Sequence, residues 1–152
     1  MNTNVRSITA RLVLISGIAA SAATLVPAAA SAGCVGEVFE AKANNEVIQG
    51  TGCNDIINLR RYVNVTVHAG GGDDIVSAGF VGNNGINYIF LEGGNDTVTN
   101  SSDKRVWVSG GAGNDTVTGS SGVDAFYGGS GTDTFIEAPT ASDYFESVEK
   151  FI

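Results

Sequence analysis

Residues 110–136 read GGAGNDTVT, GSSGVDAFY and GGSGTDTFI, three nonapeptides in unbroken succession. Each has glycine at positions one and four, aspartate at six and an apolar residue at eight. Self-similarity at a short fixed period marks a solenoid, in which no repeat can bury its apolar face alone and stacking makes the core. The frame continues upstream as LEGGNDTVT at 91–99, AGGGDDIVS at 69–77 and GTGCNDIIN at 50–58, where Cys53 stands in place of a glycine. Weaker nonads lie between. Residues 82–90 have Asn87 at position six, and residues 60–68 and 101–109 have Val65 and Val106 there.

The nonads sort into two series. The regular one starts at 50, 69, 91, 110 and 128 and carries Asp55, Asp74, Asp96, Asp115 and Asp133. The weaker one starts at 60, 82, 101 and 119, and in it Asp124 alone keeps the acid. Two nonads per coil, with a strand on each side, predict an all-β fold: a right-handed parallel β-roll over residues 50–136, of about four and a half coils. Position eight then points inward, from Ile57, Val76, Val98, Val117 and Phe135 in one sheet and Val67, Ile89, Val108 and Phe126 in the other. The extra residues Leu59, Ala78 to Val81 and Asn100 all precede weak-series nonads, so one edge should be regular and the other longer and looser. Residues 33–49 and 137–152 carry apolar side chains suited to short terminal caps, which a solenoid needs to close its ends.

The loop chemistry follows from the residue types. Glycines permit positive φ and tight turns, and a tight turn aims carbonyl oxygens inward, where the position-six aspartate adds a carboxylate. Calcium takes six to eight oxygens at about 2.3–2.6 Å in flexible geometry. One loop offers too few, whereas two loops stacked at the strand spacing can hold an ion between them. Aspartates stacked one above another repel until a cation arrives, so metal binding and folding are expected to be one coupled equilibrium.

These nonads resemble the RTX, or haemolysin-type, calcium-binding repeat family. The chain looks most like small exported actinobacterial members, in which an early cysteine precedes an opening such as Gly50-Thr51-Gly52-Cys53-Asn54-Asp55. The resemblance covers about residues 47–136. It implies calcium held by the aspartate of one loop, carbonyls of that loop and matching groups of the next loop on the same edge. Carried over, Asp115 pairs with Asp133 and Asp96 with Asp115, with carbonyls from Gly110, Ala112, Gly128 and Ser130. Cys53 departs from the pattern at the Asp55 loop, and Asp124 faces only Asn87 and Asp143 on its edge.

Composition narrows the function class. The chain has 16 Asp and Glu against 8 Lys and Arg, 21 glycines, 2 prolines and 43% hydrophobic residues. Residues 1–32 have the form of an export signal: Arg6 and Arg11, an apolar stretch from Leu12 to Leu25, and Ala30-Ser31-Ala32 as a cleavage site. Its removal leaves the rest more acidic still, which disfavours nucleic acid as a partner, and no membrane insertion is expected after cleavage. The expected location is extracellular, with or without attachment to the cell wall. Two cysteines in an exported chain favour a Cys34–Cys53 disulfide; the rival is a lipid anchor on Cys34. No HExxH or GxSxG motif is present and His68 is the sole histidine, so no enzymatic activity is expected. On the weak-series sheet Tyr88, Phe90, Trp107 and Tyr127 should point outward beside His68. An aromatic face of this kind is a candidate for an adhesion partner, either a cell-wall glycan or an extracellular protein, with calcium then purely structural.

Overall fold

The computed structural model describes residues 34–79, 85–101, 105–122, 124–136 and 143–152; the expected export signal lies outside them. The described residues contain strands and no helix. One sheet runs in the order β1 (Val38–Glu40), β3 (Ile56–Asn58), β5 (Ile75–Ala78), β7 (Thr97–Asn100), β9 (Thr116–Thr118), β11 (Thr134–Ile136) and β13 (Lys150–Phe151). The other runs β2 (Val47–Gln49), β4 (Thr66–Gly71), β6 (Asn87–Gly93), β8 (Val106–Ala112), β10 (Ala125–Ser130) and β12 (Tyr144–Glu146). The chain therefore changes sheet at each strand, and every neighbouring pair is parallel. This is the parallel β-roll that the two nonad series predict.

Position eight sets the register. Ile57, Val76, Val98, Val117 and Phe135 stack one over the next in the first sheet, and Val67, Ile89, Val108 and Phe126 in the second. All nine are buried. Each such aliphatic or aromatic side chain stabilises by about 1.5–3 kcal/mol when withdrawn from water. A slip of one residue would turn the whole row to solvent, which fixes the pairing.

Two details differ from the sequence expectation. The strands of the six-stranded sheet run on into the first positions of the following nonad, because position one is itself an inward position: Ala69 and Leu91 are fully buried there. Three of the extra residues at the irregular edge also face the core. Leu59, Ala78 and Asn100 all turn inward and are buried, so the insertions widen the core; Phe80 and Val81 lie outside the described residues. The terminal segments continue both sheets. Phe39 pairs with Ile57, Phe145 with Phe126 and Phe151 with Phe135, and Phe135, Phe145 and Phe151 pack ring against ring at 4.6–6.4 Å.

Cys34 and Cys53 form a disulfide with their Cα atoms 5.5 Å apart, joining the segment before β1 to the first regular loop. Closing a loop of this length in the unfolded chain is worth about 3 kcal/mol. Replacing both cysteines by serine should lower the urea-unfolding free energy by that amount at saturating calcium. An unchanged midpoint would mean that the first coil holds without its cross-link.

Candidate functional site

The five regular-series aspartates form one buried column along one edge of the roll, each no more than 1% exposed. A ladder of charge-assisted hydrogen bonds runs along it. The amide of Asp55 donates to Asp74 Oδ1 at 2.6 Å, Asp74 to Asp96 at 2.7 Å, Asp96 to Asp115 at 2.9 Å and Asp115 to Asp133 at 2.8 Å. The Glu37 amide begins the ladder on Asp55 Oδ1, and Glu149 ends it by accepting the Asp133 amide on Oε2 at 2.7 Å. One oxygen of each aspartate is thus committed to holding the neighbouring coil.

The other oxygen separates the loops into two kinds. Oδ2 of Asp74, Asp96, Asp115 and Asp133 is buried with no hydrogen-bond donor. Such an atom loses its water without compensation, at a cost of about 1–3 kcal/mol or more for a charged group. Asp55 Oδ2 differs, because it accepts the Thr51 amide at 2.6 Å and the Thr51 hydroxyl at 3.0 Å. Asp124, on the opposite edge, resembles Asp55: Oδ1 accepts the Val106 amide and Oδ2 the Ser120 amide, both at 3.0 Å. In both satisfied loops the donor is the position-two amide. In the other four, position two adopts positive φ, at Gly70, Glu92, Gly111 and Gly129, and the carboxylate Oδ2 receives no donor. Thr51 and Ser120 stay out of that region, as side-chain-bearing residues usually do.

Backbone carbonyls of the next coil approach the aspartate oxygens, in the paired Asp55 loop as well, where a Cβ at Gly50 would meet the Ala69 carbonyl and Asp55 Oδ2. A Cβ added to Gly110 would collide with both Asp115 Oδ2 and the Gly128 carbonyl oxygen, so these two oxygens from successive coils converge on one point. The same construction at Gly128 meets Asp133 Oδ2 and the Ser147 carbonyl. In the two upstream loops position one is Ala69 or Leu91, whose buried side chain stands on that side. The carbonyls of Ala112 and Ser130 accept the amides of Gly94 and Gly113 at 2.8 Å, which leaves each a second lone pair. Among the described residues no three acidic, histidine or cysteine side chains cluster as a metal site. An ion here would be held by one carboxylate per loop plus carbonyl oxygens, the all-oxygen donor set of calcium. The buried unpaired oxygens and the converging carbonyls fit that ion.

Burial holds these carboxyls above the usual range: Asp74 near 7, Asp96 near 8 and Asp115 near 6, with neighbouring carboxylates adding to the rise. Burial also raises Asp124 and Asp133. A carboxyl whose pKa is higher in the folded state than in the unfolded chain stabilises most when both states are protonated. That stability is lost as pH rises through the folded value. The metal-free chain should therefore melt at its highest temperature near pH 4 and lose stability progressively to pH 8. A melting temperature that stays flat or climbs across this range, measured with chelator present, would contradict it.

Position five forms a second, outer ladder that the nonad pattern did not reveal. The Asp73 amide donates to Asn54 Oδ1, Asn95 to Asp73, Asn114 to Asn95 and Thr132 to Asn114, at 2.8–3.0 Å. Its only signal was the run of Asn and Asp before the aspartate. On the six-stranded sheet His68, Phe90, Trp107, Tyr127 and Tyr144 make a continuous stripe with ring centroids 4.9–5.2 Å apart. These rings lean on one another, while Tyr88 and Tyr144 remain exposed beside a groove of about 270 Å³ that Arg105 also lines.

A family model for the RTX calcium-binding nonapeptide repeat matches residues 64–80, 80–103 and 107–135. No curated protein and no solved structure matches the chain.

Proposed function

From the match of residues 64–103 and 107–135 to the RTX calcium-binding repeat, we propose that this chain is a calcium-binding protein of the cell exterior whose folding is coupled to the ion. The observation that carries this reading is the column of four buried Oδ2 atoms without donors. A roll that leaves carboxyl oxygens dry and unpaired is poorly stable alone and gains from any cation that binds the folded state only. Asp115 Oδ2 lies beside the Gly128 carbonyl, and Asp96 and Asp74 continue the series upstream. Asp55 and Asp124 hold their loops by hydrogen bonds and need no ion. The apolar stretch at residues 12–25 and the disulfide support export to an oxidising, calcium-rich compartment. Among the described residues no helix is long and apolar enough to cross a membrane. The test is a calorimetric calcium titration of the full chain, which should show several ions bound; no heat of binding up to millimolar calcium would sink the reading.

The groove beside Tyr88 and Tyr144 favours a second reading, attachment to a glycan or protein through the aromatic sheet. Trp107→Ala should then abolish retention at the cell surface and spare calcium affinity. Retention equal to that of the parent chain would exclude it.

A further inference from the structure

The last regular loop has no nonapeptide after it on its edge. The neighbouring coil there is the C-terminal segment, and its sequence, Ser147-Val148-Glu149, shows none of the glycine pattern. The roll nevertheless brings it into register. Phe126 pairs with Phe145 and Tyr127 with Glu146, so Ser147 follows in line with Gly128, at position one. Thr134 pairs with Lys150, so Glu149 stands beside Asp133, at position six. Three residues here span what six span in the other loops. Ser147 takes positive φ, at 52°, to make that shorter turn.

The oxygen arrangement of the preceding loop is reproduced. Between the loops at 110 and 128, Asp115 Oδ2 and the Gly128 carbonyl converge beside Gly110. Between the loop at 128 and the C-terminal segment, Asp133 Oδ2 and the Ser147 carbonyl converge beside Gly128 in the same way. Asp133 is fully buried and its Oδ2 has no donor. Glu149 supplies the next carboxylate: its Oε2 accepts the Asp133 amide at 2.7 Å, the bond that Asp133 makes to Asp115 one coil earlier. The additional methylene of glutamate over aspartate suits a turn that has lost three residues.

We infer that the C-terminal segment completes a further calcium site outside the nonapeptide pattern, with the Asp133 carboxylate, the Ser147 carbonyl and the Glu149 carboxylate among its ligands. This inference rests on calcium binding by the regular loops and extends it by one coil. Calcium then links the terminal segment to the stack, so the last coil is closed by the same ion chemistry as the interior.

The test compares the full chain with Glu149→Gln, which keeps a side-chain oxygen able to accept the Asp133 amide but removes the charge. Ions bound per chain are counted by native mass spectrometry at saturating calcium. The expected result is one calcium fewer in the variant, with the other ions retained. Equal counts would overturn the inference and leave the regular loops as binding sites. A parent chain that binds no calcium at all would remove the broader reading and this one together. Carboxyl labelling of the unmutated chain gives an independent check that does not depend on the variant's folding. Calcium should protect exposed Glu149 several-fold more than exposed Glu146, three residues away; equal labelling at both would overturn the site.

Discussion

Chelating calcium from the chain at neutral pH should abolish its cooperative melting transition and most of its β circular dichroism signal, and restoring the ion should bring both back. The magnitude follows from the aspartate column. Four buried Oδ2 atoms have no donor, and each costs about 1–3 kcal/mol or more when left so. Together they reach the order of 5–15 kcal/mol that holds a whole domain folded. No opposing lysine or arginine relieves them: the only Lys or Arg ion pair among the described residues is the exposed Arg60–Glu40. The hydrogen-bond ladder through Oδ1 reduces the strain but uses only one oxygen per residue. Matching spectra and melting temperatures with chelator and with millimolar calcium would show that the column is stable unaided.

The second large effect is a change of sign at a single residue. Asp115→Asn keeps an Oδ1 that can accept the Asp96 amide and replaces Oδ2 with an amide that can donate. The Gly128 carbonyl oxygen lies close to that position, both oxygens crowding the Cβ side of Gly110. Without metal the variant should be more stable than the parent, by about 1–3 kcal/mol, because a dry unpaired oxygen becomes a satisfied donor. With calcium it should be less stable, because the best-formed ion position has lost its carboxylate. With chelator the two proteins are compared by the β circular dichroism signal each retains, and with calcium by urea unfolding. A variant destabilised in both conditions would mean that Asp115 serves the fold through its hydrogen bond alone.

The central coils were legible in the sequence because every nonad keeps an apolar residue at eight and every regular-series nonad keeps aspartate at six. Aspartate at six and an apolar residue at eight mark the turn and the strand, and Asp115-Thr116-Val117 occupies the same place in its coil as Asp96-Thr97-Val98 does in the one before. The division of the aspartates into paired and unpaired was not legible. It goes with the φ of position two, which Glu92 makes positive although its side chain argues against it, whereas Thr51 and Ser120 do not. Glu149 escaped notice because its turn has lost the glycines by which such a loop is recognised. The inward course of Leu59, Ala78 and Asn100 was hidden for a related reason: an insertion is read as loop unless its neighbours show where the strand resumes.

The unequal lengths of the coils have a consequence of their own. Successive aspartates of the column are 19, 22, 19 and 18 residues apart. Were every coil the same length, the stack would be translationally degenerate, and a misfolded chain displaced by a whole coil would recover almost all of its contacts. With unequal coils, such a displacement sets a 22-residue segment where a 19-residue one belongs, and Leu59, Ala78 and Asn100 lose the places made for them. The irregularities act as a key that fits in one position, and a version idealised to uniform coils should gain regularity and fold to a mixture of offset isomers.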